Sequence, residues 1–203
     1  PSDMTTSWNA MSYQENQASG SLGAILTFSL LFVFLILAAQ YESWSLPLSI
    51  LLGTPFAIFG AFLFLWLGRL GSPTFENNIF AQVSFVMLIG MAAKNAILIV
   101  EFANEEFEKG LSLVDSAIKA ARSRFRPILM TAFSFILGVL PLVVASGSGA
   151  ESRKVMGMAL LGGMSVATIL GVFFYPMLFI LIGKLFNYTE KRDALLANKE
   201  EGK

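Results

Sequence analysis

Polar residues in this chain are gathered into short stretches that separate five long apolar runs, at 22–39, 46–67, 79–103, 125–145 and 155–186. A helix rises ~1.5 Å per residue, so about 20 residues are needed to cross the ~30 Å hydrocarbon core of a bilayer. Each run comes to about that length, and the pattern predicts five transmembrane helices over 22–186. The opening 1–21, which includes PSDMTTSWNAMSYQENQASG, is rich in Ser, Thr, Asn and Gln. It reads as the end of a domain outside the membrane, or as a linker. The last residues, 187–203, read as a polar tail. No basic n-region with a cleavage site precedes the first run, and with Pro1 as the first residue the chain is expected to begin inside a longer protein.

The connection between the third and fourth runs carries a pattern of its own. Ser112 and Asp115 form a pair like a capping box, ahead of Val114, Ala117, Ile118 and Ala121 at helical spacing. A short amphipathic helix over 112–122 is expected at the membrane surface, with Lys119 and Arg122 among the headgroups; an ordinary surface connector is the plainer alternative. Small residues recur every fourth position at Gly53, Ala57 and Ala61 in the second run, and at Gly163, Ala167 and Gly171 in the fifth. In lipid, helices associate by close packing rather than by hydrophobic force, so these faces are expected to meet other helices. Pro55, Pro141 and Pro176 each remove a backbone donor and are candidate kinks.

Composition supports the membrane reading: 55% of the 203 residues are hydrophobic, 19 of them Phe, and the mean hydropathy is +0.68. The 14 basic and 14 acidic residues cancel, so net charge offers no basis for nucleic-acid binding. Cys and His are both absent, which removes disulfides, thiol chemistry and the usual zinc ligands; no cofactor or metal site is expected. An enzyme is disfavoured, because no pairing of nucleophile and base appears. The positions of the cations are more informative than their number. Taking the connections as alternately on one side and the other, the side holding the N-terminus carries three Lys and Arg against ten on the opposite side. Cations resist translocation, so the N-terminus is expected outside and the C-terminus in the cytoplasm. Tyr41 and Trp44 supply interfacial aromatics before Pro47 opens the next helix.

Against this background Lys94 and Asn95 stand out, deep in the third run with no carboxylate at the same depth in any of the five. A charged lysine at a helix centre costs roughly 2.5–3.5 kcal/mol on insertion scales, so such residues usually face protein or water. Snorkelling to the headgroups is the bland alternative, but from this depth the reach is marginal. Glu101 is seven residues from Lys94, on nearly the same face but too far to pair. In the fourth segment Arg124 and Thr131 are likewise seven apart. Alone, Arg124 reads as another inside cation, and Thr131 as a hydroxyl bonded to its own helix. Either a watery cavity solvates Lys94, or its partner carboxylate lies in a part of the protein outside this chain. The second is the expectation.

SWNAMSYQE, LAAQYESWSLPLSILLGTPFAIFGA, GMAAKNAILIVEFANE, RFRPILMTAFSFILGVLPLV and GMALLGGM together resemble the last five transmembrane helices, eighth to twelfth, of a resistance-nodulation-division efflux pump. The hydrophobe and amphiphile exporting branch, of AcrB/MexB type, is the best match. The resemblance implies an all-α integral membrane fold, part of a twelve-helix transporter built as two pseudo-repeats. It implies a homotrimer in a Gram-negative inner membrane, working with a periplasmic adaptor and an outer-membrane channel to export antibiotics, dyes, detergents and bile salts. It also implies a proton relay, in which Lys94, Asn95, Arg124 and Thr131 surround two aspartates of the fourth helix. Ionised, those aspartates hold Lys94; protonated, they release it, and the helices shift. The competing readings are a structural bundle that transports nothing and a pump of the same superfamily with another cargo, such as metal ions or lipids.

Overall fold

The computed structural model describes residues 22–41, 43–72 and 75–187, and among them all regular structure is helical. The polar opening 1–21, Glu42 and most of the expected tail, 188–203, lie outside the described residues. Six helices follow one another: α1 (Leu22–Tyr41), α2 (Ser45–Leu51), α3 (Thr54–Arg69), α4 (Ile79–Glu108), α5 (Leu113–Val143) and α6 (Ala150–Leu185). They make five elements long and apolar enough to cross a membrane, because α2 and α3 together form one, Ser45–Arg69.

The second span departs from its expected single helix, and the cause is local. Pro55 cannot donate to the carbonyl of Leu51, four residues back. The helix stops at Leu51, turns through Leu52 and Gly53, and resumes at Thr54. The Thr54 hydroxyl donates to the Leu51 carbonyl oxygen at 2.8 Å, replacing the bond that Pro55 cannot make. The other prolines have a smaller effect: Pro127 and Pro141 lie inside α5 and Pro176 inside α6, without ending either helix.

A second departure concerns the amphipathic segment 112–122. It is helical, and Ser112 caps it as expected, accepting from the Asp115 backbone N–H at 3.1 Å and donating to its carboxylate at 2.6 Å. It is not separate, however: it forms the first turns of α5, continuous with the fourth span. No Gly or Pro interrupts the chain between Leu113 and Arg126, so nothing there ends the helix.

Before α5 the chain reverses in a tight turn. Gly110 adopts φ 102°, a left-handed conformation that suits glycine, while Gly110 and Leu111 donate to the carbonyls of Phe107 and Glu106. This turn makes a hairpin of α4 and α5. Asn78 opens α4 in the same way that Ser112 opens α5, accepting from the Ala81 N–H at 3.1 Å.

Helix α6 runs through the centre and packs on α3, α5 and α4, while α1 is peripheral and buries only Leu37 among its described side chains. The α3–α6 crossing is the tightest. A Cβ added to Gly60 would come within 2.7 Å of the Gly162 carbonyl oxygen, and one added to Gly162 within 2.7 Å of the Gly60 carbonyl oxygen. The two backbones therefore touch. Of the expected small-residue faces, Gly163 meets Leu88 and the Ala57 backbone, while Gly53 and Gly171 both meet Tyr175. Gly60 and Gly162, one residue away from those stripes, make the closest approach.

The buried apolar residues form two layers. One holds Ile50, Ala93, Ala96, Ile99, Tyr175 and Phe179; the other holds Ala57, Leu65, Phe85, Leu88, Ala92 and Met164. Along α4 the boundary falls between Ala92 and Ala93. In the second span it falls at the break between α2 and α3.

Candidate functional site

Lys94 and Asn95 follow directly after that boundary on α4, and their surroundings differ sharply. Asn95 is buried, and its side-chain Nδ2 has no hydrogen-bond partner. Lys94 is exposed on the described surface and makes no ion pair or hydrogen bond there. Adjacent helix positions are about 100° apart, so one points into the bundle and the other out of it. An unpartnered buried amide and an unpaired ammonium at one depth are both costly in hydrocarbon.

On α5, Arg124 is half-buried with its Nε unpartnered, and its guanidinium lies over the Phe102 ring of α4 at 4.7 Å from the centroid. A cation over an aromatic face is attracted by the ring quadrupole. Phe102 also has the Lys109 ammonium 6.0 Å from its ring centroid, so it carries two cations near one end of α4. Thr131 is exposed, and its hydroxyl donates to the Ile128 carbonyl at 3.0 Å. The four residues thus lie on the two helices of one hairpin. Among the described residues no hydrogen bond joins any two of them.

Three features go beyond what was read from the residue pattern. Phe102 reads as one apolar residue among many until Arg124 is placed over it. Glu106 is buried and takes two lysines: Lys109 at 2.9 Å, and Lys119 from the first turns of α5. Lys119 thus has an ion pair with Glu106 while its side chain stays more than half exposed. The Lys109 spacing of three was a usable signal; the Lys119 contact needs the hairpin. The Glu106 carboxylate raises the Lys109 ammonium above its ordinary value, chiefly through their hydrogen bond. Third, Tyr175 is buried, and its hydroxyl donates to the Ala92 carbonyl at 3.3 Å.

Comparison with known proteins decides the family. Residues 1–183 match the model of the AcrB/AcrD/AcrF family. The chain belongs to that family. Among individual relatives it is similar to the toluene efflux pump membrane transporter TtgB of Pseudomonas putida, with 47% identity over 190 residues. That match covers 94% of this chain and 18% of TtgB. The toluene efflux pump membrane transporter TtgE of the same organism is 44% identical over 98% of the chain and 19% of TtgE. The multidrug resistance protein MdtF of Escherichia coli K12 is 45% identical over 94% of the chain and 18% of MdtF. The chain thus spans about a fifth of the length of these AcrB/AcrD/AcrF relatives.

Proposed function

We propose that this chain is the eighth-to-twelfth helix part of an inner-membrane proton/drug antiporter, and that it supplies the basic side of the proton relay. The observation that carries the reading is Lys94: an ammonium midway along a membrane-length helix, exposed and without an ion partner among the described residues. A lysine so placed calls for a carboxylate from outside the described residues. In this reading an aspartate pair on the fourth transmembrane helix of the complete pump, outside this chain, provides it. Asn95 and Arg124, each with an unpartnered nitrogen, and Thr131 complete the polar surroundings.

Relatives named for the efflux of toluene and for multidrug resistance support hydrophobic and amphiphilic compounds as cargo. The complete pump is a homotrimer that works with a periplasmic adaptor and an outer-membrane channel. Residues 1–21 lie on the periplasmic side and the C-terminus is cytoplasmic, following the excess of cations in the connections. Ionised aspartates hold Lys94; protonation releases it, and the α4–α5 hairpin shifts. Each proton returning across the membrane brings ~2.3 kcal/mol per 100 mV of potential.

The test is Lys94→Ala in the complete transporter, with drug accumulation, proton-coupled efflux and trimer assembly all measured. Loss of efflux at normal assembly is expected. Normal efflux would sink the reading.

A further inference from the structure

Tyr175 is the largest fully buried side chain among the described residues, and nothing in the proposed relay uses it. It lies where three irregularities converge. Its ring occupies the space that Gly53 leaves open at the break between α2 and α3, and it packs against Gly171 one turn earlier on its own helix; a Cβ on either glycine would overlap it. The next residue, Pro176, withholds the N–H that would otherwise bond the Val172 carbonyl inside α6. The Tyr175 hydroxyl reaches the carbonyl of Ala92, on the neighbouring α4. Ala92 is two residues before Lys94 and three before Asn95, about 3–4.5 Å along the axis.

Ala92 closes one apolar layer and Ala93 opens the other, so this hydrogen bond crosses the boundary between the two cores. A buried phenol with a donor to place could have bonded within its own helix or met another side chain. It bonds instead to a helical carbonyl of a second span, at the level where α4 carries its ammonium and its unpartnered amide.

We infer that Tyr175 is a positioning residue for Lys94 and Asn95: its hydroxyl pins α4 to α6 at their level, and its ring links that level to the α2–α3 break. The inference rests on the proposed relay for its consequence in transport, though not for the pinning itself. In this arrangement α4 does not slide along α6 at the Lys94 level unless the Tyr175–Ala92 bond breaks. Movement of α4 then disturbs the ring and, through Gly53, the joint in the second span.

The test is Tyr175→Phe in the complete transporter, which removes one oxygen and keeps the ring. Two readouts are taken. Amide hydrogen exchange is expected to quicken in α4 around residues 92–99, with the α3–α6 crossing unchanged. Maximal efflux rate is expected to change about threefold or more at an unchanged KM for the drug, because a net hydrogen bond is worth about a factor of 2–10 in an equilibrium. Equal exchange and equal efflux would overturn the inference, as would a uniform rise in exchange throughout the bundle. Where Tyr175→Phe assembles poorly, 3-fluorotyrosine at position 175 keeps the packing and strengthens the donor; slower exchange in the same part of α4 is expected, and no local change overturns the inference. Lys94→Ala is run beside it. If that variant pumps normally while Tyr175→Phe still loosens α4, the relay reading has failed and the pinning stands.

Discussion

The α3–α6 crossing and the hairpin face bearing Lys94 belong to one bundle, yet they solve opposite problems. At the crossing the backbones find their counterparts among the described residues: Gly60 and Gly162 let two backbones touch, and Gly163 admits Leu88, although the buried Thr168 hydroxyl on α6 has no partner. On the hairpin, Lys94 is bare, Asn95 and Arg124 hold unpartnered nitrogens, and Thr131 bonds only to its own helix. The crossing is finished by the residues in hand. The hairpin face leaves polar groups without partners among the described residues, and the proposed relay would use them.

Substitutions should therefore divide cleanly between the two. Gly162→Val has the largest expected effect, because the added atoms overlap Phe64 and the Gly60 carbonyl. It should cost about 3 kcal/mol or more and remove most folded protein, read as loss of a monodisperse peak in detergent. Normal folding with that valine would break the comparison at its firmer end. Next, Lys94→Ala should abolish efflux of the complete transporter while leaving its thermal stability little changed, since the aspartates that hold Lys94 in the proposed relay can take up protons in its place. A marked fall in its melting temperature would show that Lys94 is structural after all.

A smaller effect is expected from Thr54→Val, which leaves the Leu51 carbonyl without a donor. The cost should be about 1–3 kcal/mol, measured by thermal denaturation in detergent. Thr54→Ser, which keeps the hydroxyl, should stay near the parent. Smallest is Glu106→Gln, which loosens the α4–α5 hairpin at Lys109 and Lys119. Both lysines are more than half exposed, so the loss should be modest and should shrink further in high salt. Its pH dependence has a definite sign. The Lys109 pKa is raised in the fold from 10.5, so its contribution is complete below that value and fades as pH rises through the higher one. Parent and variant should then converge in strong alkali, and also in acid once the Glu106 carboxylate takes up a proton.

The division also marks what could be read from residue order. Five spans were legible because an apolar run of membrane length has few alternatives, and the Ser112 cap because its signature is local. The break at Leu52 and Gly53 was harder to see: a proline in a membrane helix can be absorbed, as Pro127, Pro141 and Pro176 are, and only the flanking Gly53 and Thr54 distinguish Pro55. Stripes of small residues pointed to helix contact but missed the closest pair by one position, because a four-residue repeat defines a face and not the point where two faces cross. Lys94 and Asn95 were conspicuous as polar residues in an apolar run. Tyr175 was hidden because a tyrosine near a proline has no pattern that foretells a bond to a backbone carbonyl 83 residues away.

The hydroxyl of Thr54 has a consequence for how such a bundle flexes. A helix cut in two inside a bilayer ordinarily needs water, or a neighbour, to cover the bare carbonyl. Here the cover travels with the cut, since donor and acceptor sit three residues apart on the same strand of chain. The second span thus carries its own cover for the Leu51 carbonyl, so bending at this joint need not leave that acceptor bare in the hydrocarbon.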